Sequence, residues 1–285
     1  MKRLMILCIT AFCFSSAVYA DTYEPDDDVT KAKIIVLEKS QAHSFDKIGD
    51  TDWVKFYALA EQLYKIRTLN LSSNCDTRIE LYNIDGIILL QFADDGIAGK
   101  EELIEWKCPK NGVYYVAVKN ADPKIVETSV NYDLVISQPT APYSGRIEGT
   151  VRDSVSRLPV GDVIITTTQR RSALSSPNDG YYDMENHPAD NYTLIAEADG
   201  YQLFTVSGTL SASGVAKHDI LLCPLTVKQG DLNGDHAIDL KDVILALKIL
   251  AGLSETCCDN TDINGDNRIG MEDVIYILQS VAELR

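Results

Sequence analysis

Two twelve-residue stretches near the C-terminus decide how the chain is organised: Asp231-Leu-Asn-Gly-Asp-His-Ala-Ile-Asp-Leu-Lys-Asp242 and Asp262-Ile-Asn-Gly-Asp-Asn-Arg-Ile-Gly-Met-Glu-Asp273. Each carries oxygen-bearing side chains at positions 1, 3, 5 and 12. That is the spacing of the twelve-residue calcium loop, in which a hard cation collects about 6–8 oxygen ligands. Position 7 supplies a backbone carbonyl, and position 9 often acts through a water. The two loops therefore predict sites for two calcium ions.

The predicted ligands occupy these positions in both loops. They are Asp231, Asn233, Asp235, Ala237, Asp239 and Asp242, followed by Asp262, Asn264, Asp266, Arg268 and Asp273. An Asp-rich turn that arose by chance ahead of a helix would explain one loop, but it does not account for two copies in the same register.

Helical apolar spacing follows each loop. The apolar residues are Val243, Ile244, Leu247, Leu250 and Ala251 in the first helix, and Val274, Ile275, Leu278, Val281 and Ala282 in the second. Two short helices need each other's apolar faces to persist in water. We therefore expect Val243, Ile244 and Leu247 to pack on Val274, Ile275 and Leu278.

This loop–helix pair, residues 228–285, resembles the type I dockerin domain. It departs from an ordinary EF-hand because position 12 is Asp rather than Glu, and because position 6 is His236 in one loop and Asn267 in the other. The resemblance implies docking to a protein partner, a cohesin or another protein. It also implies a setting of polysaccharide degradation, because dockerins attach glycoside hydrolases to scaffold cohesins. Loop positions 10 and 11, often Ser-Thr-like in that family, are Leu240-Lys241 and Met271-Glu272 here.

The chain is acidic, with a formal net charge of −16 over 285 residues, and this argues against nucleic acid or an anionic membrane as a partner. Residues 1–20 have the pattern of a secretory signal peptide: Lys2-Arg3 precedes an apolar core, and small residues end at Ala20. Cleavage after Ala20 predicts an exported protein, extracellular or periplasmic. No later stretch is long and apolar enough to span a bilayer.

Export favours disulfide formation among the cysteines that remain after cleavage. They are Cys75, Cys108, Cys223, Cys257 and Cys258. We expect Cys75 to pair with Cys108, and Cys223 to pair with Cys257 or Cys258. Because five is odd, at least one thiol is left free or pairs outside the chain.

Residues 21–140 contain many short alternating runs separated by turn signals, which predicts an antiparallel β-sandwich. The opening Tyr23-Glu-Pro-Asp-Asp27, with Gly49-Asp-Thr-Asp-Trp-Val-Lys-Phe56 and Gly112-Val-Tyr-Tyr-Val-Ala-Val118, resembles the bacterial pre-peptidase C-terminal domain. That resemblance implies a jelly-roll-like accessory module of secreted enzymes that is not itself catalytic.

Some relatives of that module bind calcium through acidic loops. We expect a solvated acidic surface with turn-favouring aspartates here, and a calcium site on Asp50, Asp52 and residues 26–28 is the alternative. Trp53 alternates with Asp52 and Val54 at strand spacing, and we expect it to point into the core.

Residues 143–223 predict a second sandwich of about seven strands. The turn and strand signals Leu158-Pro-Val160, Asn178-Asp-Gly-Tyr-Tyr182 and Gly200-Tyr201 resemble the carboxypeptidase regulatory-like domain, which implies a prealbumin-like fold. Two roles are open for Tyr181, Tyr182 and Tyr201: contact with carbohydrate, or packing in the core of the domain.

No recognisable catalytic motif is present, and the four histidines are scattered among three domains. The predicted architecture is two all-β sandwiches followed by a small all-α calcium-loop and helix pair. The predicted function is a secreted, non-catalytic protein that binds calcium and docks to a protein or surface. The alternative is a component of extracellular polysaccharide breakdown that binds carbohydrate or weakly hydrolyses O-glycosyl compounds.

Overall fold

The computed structural model describes residues 21–122, 124, 130–141, 143–225, 228–232, 237–253, 262–263 and 269–283. Within them the chain forms two β-sandwiches followed by two short helices, which confirms the predicted fold class. The predicted signal peptide lies outside the described residues. Among those that are described, no helix has the length and apolar character needed to cross a membrane.

The described part of the first sandwich contains nine strands. They are β1 (Lys33–Ile34), β2 (Gln41–Ser44), β3 (Thr51–Ala58), β4 (Leu63–Leu69), β5 (Thr77–Tyr82), β6 (Leu89–Ala93), β7 (Leu103–Lys107), β8 (Gly112–Asn120) and β9 (Asn131–Ser137). One sheet has the order β1-β3-β8-β5-β6, and the other has the order β2-β9-β4-β7. Alternation places Val54, Phe56 and Ala58 of β3 in the core between the sheets.

The same alternation corrects the prediction for Trp53. Because Val54 and Phe56 face the core, Asp52 shares that buried face and Trp53 lies on the other one. Trp53 is half-buried and packs against Tyr82, with ring centroids 4.9 Å apart. The prediction that Trp53 points inward is therefore wrong, and an aspartate occupies the buried position instead.

The second sandwich is built from eight strands. They are β10 (Ser144–Asp153), β11 (Ile164–Thr167), β12 (Ser172–Leu174), β13 (Tyr181–Pro188), β14 (Asn191–Glu197), β15 (Phe204–Thr209), β16 (Val215–Lys217) and β17 (Ile220–Leu222). Strand β10 pairs with β13 on one side and with β16 and β17 on the other, and the facing sheet has the order β12-β11-β14-β15. Gly149 permits a close backbone approach, since a Cβ there would lie 1.8 Å from the His218 carbonyl oxygen.

A buried arginine joins the two sandwiches. The Arg171 guanidinium donates to Gln138 Oε1 at 2.8 Å and to the Pro139 carbonyl at 2.9 Å, both beyond the end of β9. It also donates to the Asn186 carbonyl within its own domain, at 3.1 Å. Ser172 Oγ adds a bond to the Tyr57 carbonyl of β3. Hydrogen bonds from buried side chains thus hold the two sandwiches together.

The helices are α1 (Leu240–Leu250) and α2 (Met271–Val281), and they pack on each other. Their shared core consists of Leu232, Val243, Ala246, Val274 and Ile277. The predicted packing is therefore wrong for four of its six residues: Val243 and Val274 are buried, whereas Ile244, Leu247, Ile275 and Leu278 are exposed. On each helix, the face that carries the loop's final aspartate packs toward the core. The adjacent row of apolar side chains is therefore exposed.

The predicted Cys75–Cys108 disulfide is also wrong, because both residues are buried free thiols. The Cys108 amide donates to the Gln62 carbonyl, beside the start of β4, whereas Cys75 lies six residues beyond the end of that strand, near Ser72. A seven-residue strand spans roughly 20 Å, far beyond the Cα separation of about 7 Å that a disulfide tolerates. The pairing of Cys223 stays a prediction, because Cys257 and Cys258 lie outside the described residues.

Candidate metal centres

The two predicted calcium loops end in the same local structure. Asp242 Oδ1 accepts from the Leu232 amide at 2.9 Å, and its Oδ2 accepts from the Asp239 amide at 2.8 Å. In the second copy the carboxylate of Asp273 accepts from the amides of Ile263 and Gly270, at 2.8 and 2.7 Å. Position 12 thus binds the amides of positions 2 and 9 in both loops, and both carboxylates are fully buried. The duplication read from the sequence is a duplication of structure.

Other predicted ligands occupy the start and the end of each loop. Asp231 at position 1 is fully buried and Asp262 is half-buried, whereas Ala237 is exposed. Asp239 is the N-cap of α1, and its Oδ1 accepts from the Lys241 amide at 2.7 Å. The remaining predicted ligands lie outside the described residues. These are Asn233, Asp235, Asn264, Asp266 and Arg268.

Each helix also presents an exposed apolar stripe at matching positions. The residues are Leu240, Ile244 and Leu247 on α1, and Met271, Ile275 and Leu278 on α2, with exposures from 42 to 61%. Each member of the second set lies thirty-one residues after its counterpart in the first, which is the spacing of the loops themselves. The first residue of each stripe is loop position 10, where the sequence departs from the dockerin pattern.

A second acidic centre lies in the first sandwich and was only partly foreseen. Three groups of side chains there have ligand atoms within 4.8 Å of one another, and they share members. The groups are Asp21, His43 and Asp52; Glu24, Asp26 and Asp52; and Glu24, Asp46 and Asp50. Together they form what we call the acidic cluster: six carboxylates and one imidazole, drawn from the N-terminal lead-in, β2, β3 and the turn between those strands.

Several carboxylate oxygens of the acidic cluster are buried without a hydrogen-bond partner. Both oxygens of Asp26, one oxygen each of Glu24, Asp46 and Asp52, and Nδ1 of His43 are in this state. Asp26 is 1% exposed, and Asp52 and His43 are equally inaccessible. Burying such groups without a partner costs a folded chain several kcal/mol. A bound cation, or protons on the carboxylates, would remove that cost.

The nearby hydrogen bonds show which lone pairs remain open. The other Asp52 oxygen accepts from the Tyr132 hydroxyl. Asp50 accepts from the Asp46 amide at 2.6 Å and from the Thr51 amide at 2.9 Å. The Lys47 ammonium lies 3.8 Å from a carboxylate oxygen of Glu24 and of Asp50, at the margin of the cluster. One ammonium does not neutralise six carboxylates.

Burial and mutual repulsion shift the titration of the acidic cluster. Desolvation, followed by the charges of Glu24 and Asp21, raises the pKa of Asp26 to about 8. Desolvation likewise raises the pKa of Asp50 to about 7 and that of Asp52 well above its ordinary value. Burial lowers the pKa of His43 to about 4, so its imidazole is neutral at pH 7. Without a cation, several carboxyls therefore retain protons near neutral pH.

This donor set fits a hard divalent cation. Carboxylate oxygens are the ligands that calcium prefers, and Glu24, Asp26 and Asp52 each offer a ligand atom within 4.8 Å of those of the other two. Of the carboxylates suspected from sequence, Asp26, Asp50 and Asp52 meet here. Asp27 lies outside the three groups and pairs with Lys47, and Asp28 caps a short 3₁₀ helix through the Thr30 amide.

Sequence reasoning missed Asp21, Glu24, His43 and Asp46 as members of the cluster. The signal for Asp46 was its position four residues before Asp50, in the turn that leads into β3. His43 carried no such signal, because its placement depends on β2 pairing with β9, where it lies opposite Tyr132. Long-range strand pairing determines that contact.

The tyrosines considered for carbohydrate contact are engaged within the second sandwich. Tyr182 is fully buried and donates to the His218 carbonyl. Tyr201 donates to Asp153 at 2.9 Å, and the Tyr181 hydroxyl lies among Arg146, Glu148 and Asp183. Tyr182 is therefore a core residue, whereas Tyr181 and Tyr201 are half-buried and use their hydroxyls within the domain.

One family model matches the middle of the chain. Residues 146–222 match the family model of the carboxypeptidase regulatory-like domain, in agreement with the resemblance read from the sequence. No curated protein matches the chain. The chain is a modular β-sandwich protein with a small helical domain.

Several solved structures are similar to parts of the chain. The pre-peptidase C-terminal domain of collagenase from Bacillus anthracis has a TM-score of 0.31 at 18% identity, covering 37% of this chain and 93% of that domain. A type II cohesin–X-dockerin complex from Acetivibrio cellulolyticus has a TM-score of 0.25 at 18% identity, covering 47% and 94%. BcpA, the major pilin subunit of Bacillus cereus, has a TM-score of 0.25 at 15% identity, covering 68% and 67%. TM-scores this low carry no information about function.

Proposed function

We propose that this chain is a secreted, non-catalytic modular protein that binds calcium and docks through its C-terminal helix pair. The observation that carries the proposal is the duplication. Two buried aspartates bind the same amides in two loops, and two apolar stripes, thirty-one residues apart, face solvent beside them. Large apolar side chains exposed in a regular row are typical of a protein-binding surface.

Calcium would organise this surface through the acidic loops. The loop residues supply oxygen ligands at the calcium-loop spacing, and a hydrogen bond from the amide of position 2 already holds the start of each loop to position 12, in the first turn of the helix. Repulsion between like charges at 4 Å amounts to roughly 4 kcal/mol at an effective dielectric of about 20. A bound cation removes that repulsion and contributes its binding free energy to folding.

The acidic cluster of the first sandwich extends the same proposal. Its partnerless buried oxygens at Asp26 and Asp52 are suited to a calcium ion that fixes the N-terminal lead-in against β3. The lead-in already contacts that strand, since the Trp53 amide donates to the Asp26 carbonyl at 3.0 Å. Calcium would thus stabilise both ends of the protein.

The test is calcium-dependent capture of a partner from the native secretome on immobilised mature protein. Ile244→Asp with Ile275→Asp places a charge at the centre of each stripe and should abolish capture without unfolding the core, because both residues are exposed. Leu203→Asp, an exposed leucine of the middle domain, is the matched control. A partner retained equally in chelator, or by the double variant, would contradict docking through the helices.

A further inference from the structure

An exposed apolar surface outside the helices lies along β6. This strand is at the edge of its sheet, and the described residues place no strand on its outer side. The strand and the turn before it expose a continuous row of large side chains. They are Ile84 41%, Ile87 77%, Ile88 55%, Leu89 42%, Leu90 38% and Phe92 55%, with Ile97 54% nearby.

No member of this row is charged, although the Arg78 guanidinium lies over one face of the Phe92 ring, 4.2 Å from its centroid. Residues 87–93 contain no Lys, Arg, Asp, Glu or Pro, the residues with which proteins usually protect an exposed strand edge. The acidic residues at its two ends are satisfied locally. Asp85 accepts from the amides of Ile87 and Ile88, and Asp95 pairs with Lys100.

The geometry of β6 explains why both of its faces are open. Its register with β5 passes from Tyr82 opposite Leu89 to Leu81 opposite Gln91, so Leu90 forms a bulge and two successive leucines project from the edge. Ala93 packs on the core, whereas the residues before it extend beyond the cover of the facing sheet.

We propose that this edge is a self-association surface, where β6 of one copy lies antiparallel against β6 of a second copy. The seven apolar side chains together expose on the order of 700 Å² per copy, which is the upper bound on the apolar area that the contact can bury and is comparable with the roughly 800 Å² per partner of a stable interface. A two-fold contact brings apolar residues against apolar residues. It also brings Gln91, the one polar side chain in the row, close to its own mate, where two amides can pair.

The acidity of the chain predicts how this dimer responds to salt. After cleavage of residues 1–20, which contain two basic residues and no acidic ones, the formal charge changes from −16 to −18. Two such copies repel each other, and the contact itself holds no ion pair. Added salt should therefore strengthen the dimer, because it screens the repulsion and leaves the apolar contact intact.

Sedimentation velocity of the mature chain across roughly micromolar to 100 µM concentration, in calcium, tests the proposal. The wild type should shift from monomer to dimer, and Leu90→Lys should raise the dissociation constant at least tenfold. Leu158→Lys, an equally charged change at a leucine 65% exposed in the middle domain, should leave it unchanged. Melting curves in circular dichroism verify that each variant is folded, and Phe92→Lys provides a second variant.

Two results would overturn the proposal. One is a wild-type chain that stays monomeric throughout this range. The other is a dimer that survives Leu90→Lys and Phe92→Lys but is lost in the Ile244→Asp with Ile275→Asp variant, which would place self-association on the helices. Because that variant alone tests docking, failure here leaves the proposed function separately testable.

Discussion

Replacing Asp26 by Asn tests whether the acidic cluster is built for a cation. Asp26 is 1% exposed, and both of its carboxylate oxygens lack a partner. Its pKa is raised from 3.8 to about 8, so the folded chain keeps this carboxyl mostly protonated at pH 7. Each pH unit between the ordinary pKa and pH 7 lowers the free energy of unfolding by about 1.4 kcal/mol. The burial of Asp26 therefore destabilises the calcium-free protein by at most about 4 kcal/mol at pH 7.

Asn keeps the shape of Asp and carries no charge, but its amide hydrogens need acceptors in the buried site. Allowing for that cost, we expect Asp26→Asn to stabilise the calcium-free protein by roughly 1–3 kcal/mol at pH 7. The same change removes a charged ligand, so calcium should bind the cluster roughly 10–100-fold more weakly. The variant is thus more stable in chelator and gains less from calcium.

Thermal unfolding in chelator and in millimolar calcium, together with titration calorimetry, measures both effects. Asp199→Asn makes the same chemical change at an exposed aspartate of the middle domain and is the control. If Asp26→Asn proves less stable than the wild type in chelator, or gains as much stability from calcium, the reasoning about the cluster is refuted.

Three further predictions concern pH, the loop aspartates and the domain interface. Because the pKa values of Asp26 and Asp50 are raised to about 8 and 7, their contribution to stability is present at lower pH and lost as pH rises through those values. Calcium-free protein should therefore gain about 2 kcal/mol between about pH 8.5 and 6.5, above the range where His43 titrates; saturating calcium should remove the gain, and denaturation curves measure both. Asp273→Ala leaves two amides without acceptors and should destabilise the helix pair by roughly 2–4 kcal/mol even in chelator, as hydrogen exchange in α2 would report. Arg171→Met removes two hydrogen bonds between the sandwiches and one within the second sandwich, and should lower the free energy of the first unfolding transition by roughly 2–4 kcal/mol in calorimetry, whereas an unchanged transition would show that the interface contributes nothing.

The local features of the structure could be predicted from the sequence. Strand alternation and turn residues were enough to predict two sandwiches, and the repeated loops were enough to predict two helices. The repeat also identified Asp242 and Asp273 as a matched pair, each at position 12 of its loop. Local periodicity encodes these features, because each depends on residues within one turn or one strand.

What sequence reasoning missed depends on which face meets a partner. Strand alternation gives two faces for β3 without saying which one is buried, and the prediction for Trp53 chose the wrong one. The same ambiguity misplaced Ile244 and Ile275, since adjacent lines on a helix are equally apolar. The Cys75–Cys108 pairing failed because membership of one domain says nothing of distance. Each of these outcomes is determined by packing between segments far apart in the chain.

Calcium-dependent ordering of the helix pair is the central claim, and amide hydrogen exchange on the mature chain tests it most directly. In calcium, amides of Leu240–Leu250 and Met271–Val281 should be protected from exchange. In chelator they should exchange at least tenfold faster, while strands β10 to β17 serve as an internal reference that does not change. Equal protection of both helices with and without calcium would contradict the claim that calcium organises this region.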